Sequence, residues 1–309
     1  MLYFETRING FCFLYTDNAL TSIIMRNLAI IFSLTFLFVS CSRESLTTDP
    51  TPDTAQPVVY MDFAYGSQSL QKMDVFLPGG RSVDKTKTIV VIHGGAWVDG
   101  DKSDMAYVVD SLKKRLPAFA LVNLNYRLAI NGSINVFPSQ EMDVKMAIES
   151  YLAKSANYGI SQDIVLLGGS AGAHLALLHG YKNDPDRHVK AVIDFFGPTD
   201  LTAIWNEGFF QQLALMAVTG KTYAQDPAIY TQSSPITFIN AQSPPTIVLQ
   251  GGMDDIVVPE QSYVLIAKLN SYNVPHQLVF YPNEGHGFSA SNNIDALLKS
   301  LSFIAQYVK

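Results

Sequence analysis

The sequence predicts an α/β fold: one mostly parallel sheet of eight strands with helices on both faces. Three observations predict it. Short, apolar, β-branched runs recur between residues 58 and 281. From the third run onward they alternate with stretches of helical periodicity. One run also ends in the turn Gly168-Gly169-Ser170-Ala171-Gly172, which passes directly into a helix-forming stretch. Apolar strands separated by amphipathic helices belong to parallel sheets buried on both faces.

In chain order, strands are expected at 58–63, 71–77, 89–93, 119–125, 164–168, 191–196, 246–250 and 277–281. The first two lie close in sequence and predict a hairpin at the sheet edge. Helices are expected at 103–116, 141–156, 171–180, 260–271 and 293–308. In the last of these, Leu297, Leu298, Leu301, Ile304 and Tyr307 share one face. Between residues 199 and 239 the pattern breaks into short helical pieces rich in aromatics, among them Trp205, Phe209 and Phe210. Either a small lid or a long excursion between a strand and a helix fits that segment.

The bulk properties narrow the function. The chain has 309 residues, 48% hydrophobic, enough for one large core. Its net charge is −6, and residues 1–40 sum to zero, so the rest carries all of it. No basic patch is present, which argues against a nucleic-acid partner. The two cysteines, Cys12 and Cys41, both lie near the N-terminus, so the main domain has neither a disulfide framework nor a cysteine metal site.

The first 40 residues read as a signal peptide, with Met25 an alternative start. Residues 28–39 form an apolar run preceded by Arg26, shorter than the 20 or so residues a bilayer span needs. The run ends in Phe38-Val39-Ser40-Cys41, which resembles a bacterial lipobox and implies cleavage before Cys41 and lipidation of its thiol. In residues 42–57, Ser, Thr, Pro and Asp fill 11 of 16 positions, so this stretch is expected to be a flexible tether spanning roughly 20–25 Å. The catalytic domain is then expected at 58–309. The expected location is the outer membrane of a Gram-negative bacterium, facing the periplasm or the cell surface, with the lipid as the membrane contact.

Strand, tight turn and helix around Ser170 are the setting of an activated serine. Flanking glycines let strand and helix backbones approach and relieve the strained turn. Such a serine needs a base, and the base an orienting acid. Of the six histidines, His93 belongs to a Gly-rich loop, His174 and His179 lie on the helix after Ser170, and His188 and His276 precede strands. His286, in Gly285-His286-Gly287 between the last strand and the last helix, alone joins an exposed loop to the carboxyl edge of the sheet. The acid belongs in the loop after the seventh strand, where Asp254 and Asp255 both qualify. Asp200, after the sixth strand, is a third candidate. After the third strand, His93-Gly94-Gly95-Ala96-Trp97 puts glycine amides where ligands sit in open α/β sheets.

These motifs together resemble the α/β-hydrolase superfamily from about Tyr60 to the end of the chain. They look most like the bacterial esterase/lipase group that includes ferulic-acid esterases, and are similar to hormone-sensitive-lipase-like esterases. Besides the stretches above, the resemblance rests on Asn125-Tyr126-Arg127-Leu128, Phe137-Pro138 with Asp143, and Asp255-Ile256-Val257-Val258-Pro259 with Gln261-Ser262. It implies a triad of Ser170, Asp255 and His286, the acid falling on Asp255 by the spacing to Pro259. It also implies an oxyanion hole from the amides of Gly94, Gly95 and Ala171. No cofactor or metal is implied.

The function expected is serine carboxylic ester hydrolysis through an acyl-enzyme, on acetyl or hydroxycinnamoyl esters of carbohydrates. Trp97, Tyr126, Phe288, Trp205 and Phe210 are candidates to stack on a planar acyl group or a sugar. A prolyl-oligopeptidase-like serine peptidase, an arylformamidase and a retired hydrolase scaffold that only binds are the alternatives.

Overall fold

In a computed structural model, residues 52–309 are described. The expected signal peptide, Cys41 and most of the expected tether lie outside the described residues. All eight expected strands form, each within two residues of its expected ends: β1 (Val58–Ala64), β2 (Lys72–Leu77), β3 (Thr88–Ile92), β4 (Ala120–Leu124), β5 (Ile164–Gly169), β6 (Val189–Phe195), β7 (Thr246–Gly251) and β8 (His276–Tyr281). They make one sheet in the order β1-β2-β4-β3-β5-β6-β7-β8. The pairs β1–β2 and β2–β4 are antiparallel and the rest parallel, so the expected edge hairpin is present.

The helices are α1 (Ala106–Arg115), α2 (Ser139–Leu152), α3 (Ser155–Tyr158), α4 (Ala171–Lys182), α5 (Leu201–Trp205), α6 (Phe209–Thr219), α7 (Pro227–Gln232), α8 (Pro259–Ser271) and α9 (Ala290–Tyr307). Alternation along each strand divides the core between the two faces of the sheet. On β3, Val90 and Ile92 join the cluster containing Val144 of α2, Leu175 of α4 and Leu265 of α8. Ile89 and Val91 join Leu112 of α1 and Phe303 and Ile304 of α9 on the other. Each such buried side chain contributes about 1.5–3 kcal/mol.

Four expectations need correction. The helix expected at 103–116 begins as a separate 3-10 turn, Lys102–Met105, capped by Asp101, before α1 starts. The helix expected at 141–156 stops at Leu152, and α3 follows before Gly159 ends it in the left-handed region. On α9 the buried face is turned by about one residue: Ala296, Ser300 and Phe303 are interior while Leu298 is exposed. Residues 52–57 are also not free tether. The buried Arg81 guanidinium donates to the carbonyls of Gln56 at 2.5 Å, Pro78 at 3.2 Å and Thr54 at 3.4 Å, and its Nε donates to that of Tyr158 at 2.5 Å. A polar segment with no core of its own is held here because an interior cation takes its carbonyls.

The strand order places the site. The chain leaves β3 toward β4 on one side and leaves β5 toward β6 on the other. The loops after β3 and β5 therefore diverge, opening a crevice at the carboxyl ends of two adjacent strands.

Candidate active site

Ser170 stands at that crevice, between β5 and α4, with φ 52° and ψ −123°. A non-glycine residue held there stores about 1–3 kcal/mol of strain, which the surroundings must over-determine. Its amide donates to the Phe195 carbonyl at 2.8 Å, and its carbonyl accepts from the His174 amide at 3.0 Å. A Cβ on Gly172 would overlap the Ile92 carbonyl, so only glycine lets α4 pass this close to β3.

His286 reaches Ser170 from the loop after β8, its Nε2 2.9 Å from the serine Oγ. Its Nδ1 lies 2.8 Å from Oδ2 of Asp254. The serine O–H thus donates to Nε2, and Nδ1–H donates to the carboxylate. The two loops are pinned together: the Gly252 amide donates to the Tyr281 carbonyl at 2.8 Å and the Met253 amide to that of Glu284 at 2.8 Å. Glu284 accepts from the Ser289 amide and hydroxyl at 2.9 and 2.6 Å, which fastens the histidine loop to the start of α9. These hydrogen bonds pull the Glu284 carboxyl below its ordinary range, that from the Ser289 hydroxyl first.

The acid expected from the spacing to Pro259 was Asp255, and the structure corrects this by one residue. Asp254 is buried and Asp255 is exposed. Oδ1 of Asp254 accepts the amides of Ile256 at 3.0 Å and Val257 at 2.9 Å, turning the loop back on itself. Ile256, in that turn, lines the cleft with Ser170 and His286, and the loop holds one residue more before Pro259 than the spacing allowed. Gln250, fully buried at the end of β7, donates Nε2 to Asp254 Oδ2 at 3.3 Å and accepts the Ser262 hydroxyl at 2.8 Å. Sequence reasoning passed over Gln250, although a polar residue ending an apolar strand was the signal. Asp200 instead caps α5, accepting the amides of Thr202 and Ala203.

The glycine loop lies across the crevice. Gly94 and Gly95 line one cleft with Ser170 and His286, and Ala171 opens α4 beside the serine. The amides of Gly94, Gly95 and Ala171 donate to no other described residue. Unpaired amides next to a serine Oγ, one of them at a helix N-terminus, are suited to a developing oxyanion. The loop is braced from behind by Tyr126, whose hydroxyl donates to the carbonyls of His93 at 3.0 Å and Gly94 at 3.1 Å. Its ring stacks on His93 at 4.3 Å. Arg127 in turn is clamped to the buried Asp143, its Nη2 2.7 Å from Oδ1. These motif residues hold the loops at the sheet edge and do not face the cleft.

Most of the aromatics expected to meet substrate are packed inward. Tyr126 is buried, Trp205 packs edge-on against Tyr230, and Phe288 lies tilted against Tyr281; Trp97 is buried too, yet lines a small cavity beside Ser170. Trp97 donates its Nε1–H to Nδ1 of His174 at 3.2 Å, and His174 Nε2 donates to the Ser233 carbonyl at 2.7 Å. Both ring nitrogens are thus satisfied in the neutral form, and burial pushes the His174 pKa down to about 3. Phe210 is exposed. A further aromatic at the site is one the sequence did not flag: Phe196, held at φ 45°, lines the cleft and lies 4.7 Å from the His286 ring.

Two cavities meet at Ser170. One of about 590 Å³ is lined by Gly95, Val98, Met105, Phe196 and His286 among others. The other, of about 70 Å³, lies under α6. The segment 199–239 therefore contributes one wall of the site through Ile204, Gln211, Ala214 and Leu215.

Comparison with known proteins agrees with this architecture. Residues 73–269 match the family model described as BD-FAE. The chain is 28% identical over 247 residues to Esterase LipC of Mycobacterium tuberculosis, covering 72% of this chain and 58% of that one. It spans about half the length of the curated relatives it matches. Among solved structures, a bifunctional GH43-CE protein of Bacteroides eggerthii superposes with a TM-score of 0.71 at 26% identity, covering 83% of this chain and 38% of that one. A truncated carbohydrate esterase from gut microbiota gives 0.67 at 23% identity, covering 84% and 99%. The fold is that of the α/β-hydrolases.

Proposed function

The chain belongs to the BD-FAE family, and from that premise we propose that it is a serine carboxylic ester hydrolase acting through an acyl-enzyme. The observation that carries this reading is the hydrogen-bonded series Ser170–His286–Asp254 beside three unpaired amides.

In the first step Ser170 Oγ attacks the ester carbonyl carbon and its proton passes to His286 Nε2. The carbonyl oxygen becomes an alkoxide, met by the amides of Gly94, Gly95 and Ala171, each worth about 10²–10³ in rate. The Asp254 carboxylate fixes the tautomer with the proton on Nδ1 and steadies the imidazolium. When the tetrahedral adduct collapses, the C–O bond to the alcohol breaks and Nε2–H returns the proton to the leaving oxygen. Water then repeats the sequence on the acyl-enzyme and releases the acid and Ser170.

The substrates proposed are acetyl or hydroxycinnamoyl esters of carbohydrates. The cleft of about 590 Å³ supports this, being broad enough to admit a sugar. The structural neighbour described as a carbohydrate esterase supports it too. We also propose that the mature chain is an outer-membrane lipoprotein anchored through Cys41. The sequence Phe38-Val39-Ser40-Cys41 supports that reading, and detergent partitioning of wild type and Cys41→Ala tests it. A fluorophosphonate probe followed by mass mapping tests the catalytic reading. Labelling confined to Ser170, with turnover of acetylated sugars, is expected; a folded protein that takes no label would overturn it.

A further inference from the structure

Two cavities share Ser170, and they differ in which other groups of the site they contain. The larger includes His286, Gly94 and Gly95 in its wall. The smaller includes Ala171 and not His286; it is bounded by Trp97, Pro198, Ile204, Gln211, Leu215 and Val257. The chemistry assigns the two halves of an ester to them. The leaving oxygen must take a proton from Nε2 of His286, so the alcohol must depart on the histidine side. With the carbonyl oxygen at the amides, the remaining substituent on the carbon, the acyl chain, points away from His286 and under α6.

On the hydrolase reading given above, we infer that the acyl group enters the cavity under α6 and that Leu215 and Gln211 limit its length, so that the enzyme is an acetylesterase and not a hydroxycinnamoyl esterase. Size decides between the two acyl classes. An apolar cavity of about 150 Å³ holds one benzene ring. The cavity under α6 offers about 70 Å³. An acetyl methyl fits in that space, whereas a substituted aromatic ring on a three-carbon stem does not. Two of the cavity's walls are held in place: Trp97 by His174, and Leu215, 1% exposed, by the main core cluster. The alcohol side has no such limit, its cleft being about 590 Å³. Specificity should therefore be steep in the acyl chain and shallow in the alcohol.

The test holds one half of the ester constant while the other varies. With p-nitrophenol as the alcohol, kcat/KM of the wild-type protein should fall from acetate to butyrate to octanoate, with acetate over octanoate by about 100-fold or more, each methylene without room costing roughly tenfold. p-Nitrophenyl ferulate should be cleaved no faster than p-nitrophenyl octanoate. With acetyl constant, p-nitrophenyl, 4-methylumbelliferyl and xylo-oligosaccharide acetates should all be turned over. Leu215→Ala and Gln211→Ala should each raise the butyrate-to-acetate ratio about tenfold. Gln211 is only half-buried and carries the test should Leu215→Ala fail to fold. A flat acyl profile in wild type, feruloyl turnover matching acetyl, or an unmoved ratio in a folded variant overturns the inference while leaving the hydrolase reading in place. No turnover of any ester together with no fluorophosphonate label overturns both.

Discussion

Nδ1 of His286 lies 2.8 Å from Oδ2 of Asp254, and this contact is the exposed end of a buried series that runs on through Gln250 to Ser262. The imidazole is oriented by a carboxylate whose own position is fixed by two loop amides and a glutamine. Replacing Asp254 by Asn should therefore disturb one thing above all, the tautomer. An amide nitrogen facing Nδ1 would drive the proton to Nε2, where it blocks the serine. We expect kcat for an acetyl ester to fall about 10⁴-fold in Asp254→Asn. Asp255→Asn, on the exposed side of the same turn, should be indistinguishable from wild type. Steady-state kinetics on the pair checks this, and the reverse ranking would return the acid to Asp255.

Ser170 and His286 should behave as one unit. Without the base the hydroxyl is a poor nucleophile, and without the hydroxyl the base has no proton to take. Each alanine variant should lose about 10⁶ in kcat, and the double variant should lose no more. Losses that multiply in the double variant would mean that the two act in separate steps.

The sequence disclosed most of what is periodic or locally punctuated. Strand positions followed from apolar runs, and the Ser170 turn from glycines that a strand and a helix need when they nearly touch. His286 was legible because one histidine alone sat between glycines at the correct edge. Counting back from Pro259 places the acid one residue late because it assumes a loop of fixed length, and here the turn in which Asp254 accepts the Ile256 and Val257 amides adds a residue. The wall residue Phe196 was hidden because its φ of 45° is imposed by the turn and is not a property of phenylalanine. The hold of Arg81 on residues 52–57 joins segments about 25 residues apart, which composition cannot reveal.

His174 and His179 give the fold an acid limit. Burial lowers each to about 3 from an ordinary value near 6.5. A histidine whose folded pKa is depressed contributes stability above the unfolded value, and that stability is lost as pH falls from about 6.5 toward 3, because only the unfolded chain takes the proton. The urea midpoint should drop steadily between pH 7 and pH 4. The His174 ring resonances should not titrate over that range, since Nδ1 is committed to Trp97 and Nε2 to Ser233. A His174 ring that titrates near pH 6 would show that the Trp97 contact is not kept in solution.

Asp194 should act in the opposite direction. It ends the interior of β6 opposite Gly168, fully buried. Oδ1 accepts the Gly197 amide at 2.7 Å, which draws in the turn that presents Phe196 to His286. Oδ2 has no partner among the described residues. Burial raises the carboxyl to about 7. With the folded pKa above the unfolded value near 3.9, the protonated group favours the fold fully below pH 4, and that contribution is lost as pH rises toward 7. Asp194→Asn keeps an acceptor for Gly197 and removes the titration. The stability of the variant relative to wild type should therefore improve as pH rises from 4 to 8, by a few kcal/mol in all, at about 1.4 kcal/mol per pH unit while the folded carboxyl stays protonated. Urea titrations of both proteins at matched pH check this, and because His174 and His179 are common to the two, their contributions cancel in the difference. A difference that does not change with pH would mean that the folded carboxylate is already ionised at pH 4, with a cation or water supplying the partner that Oδ2 lacks.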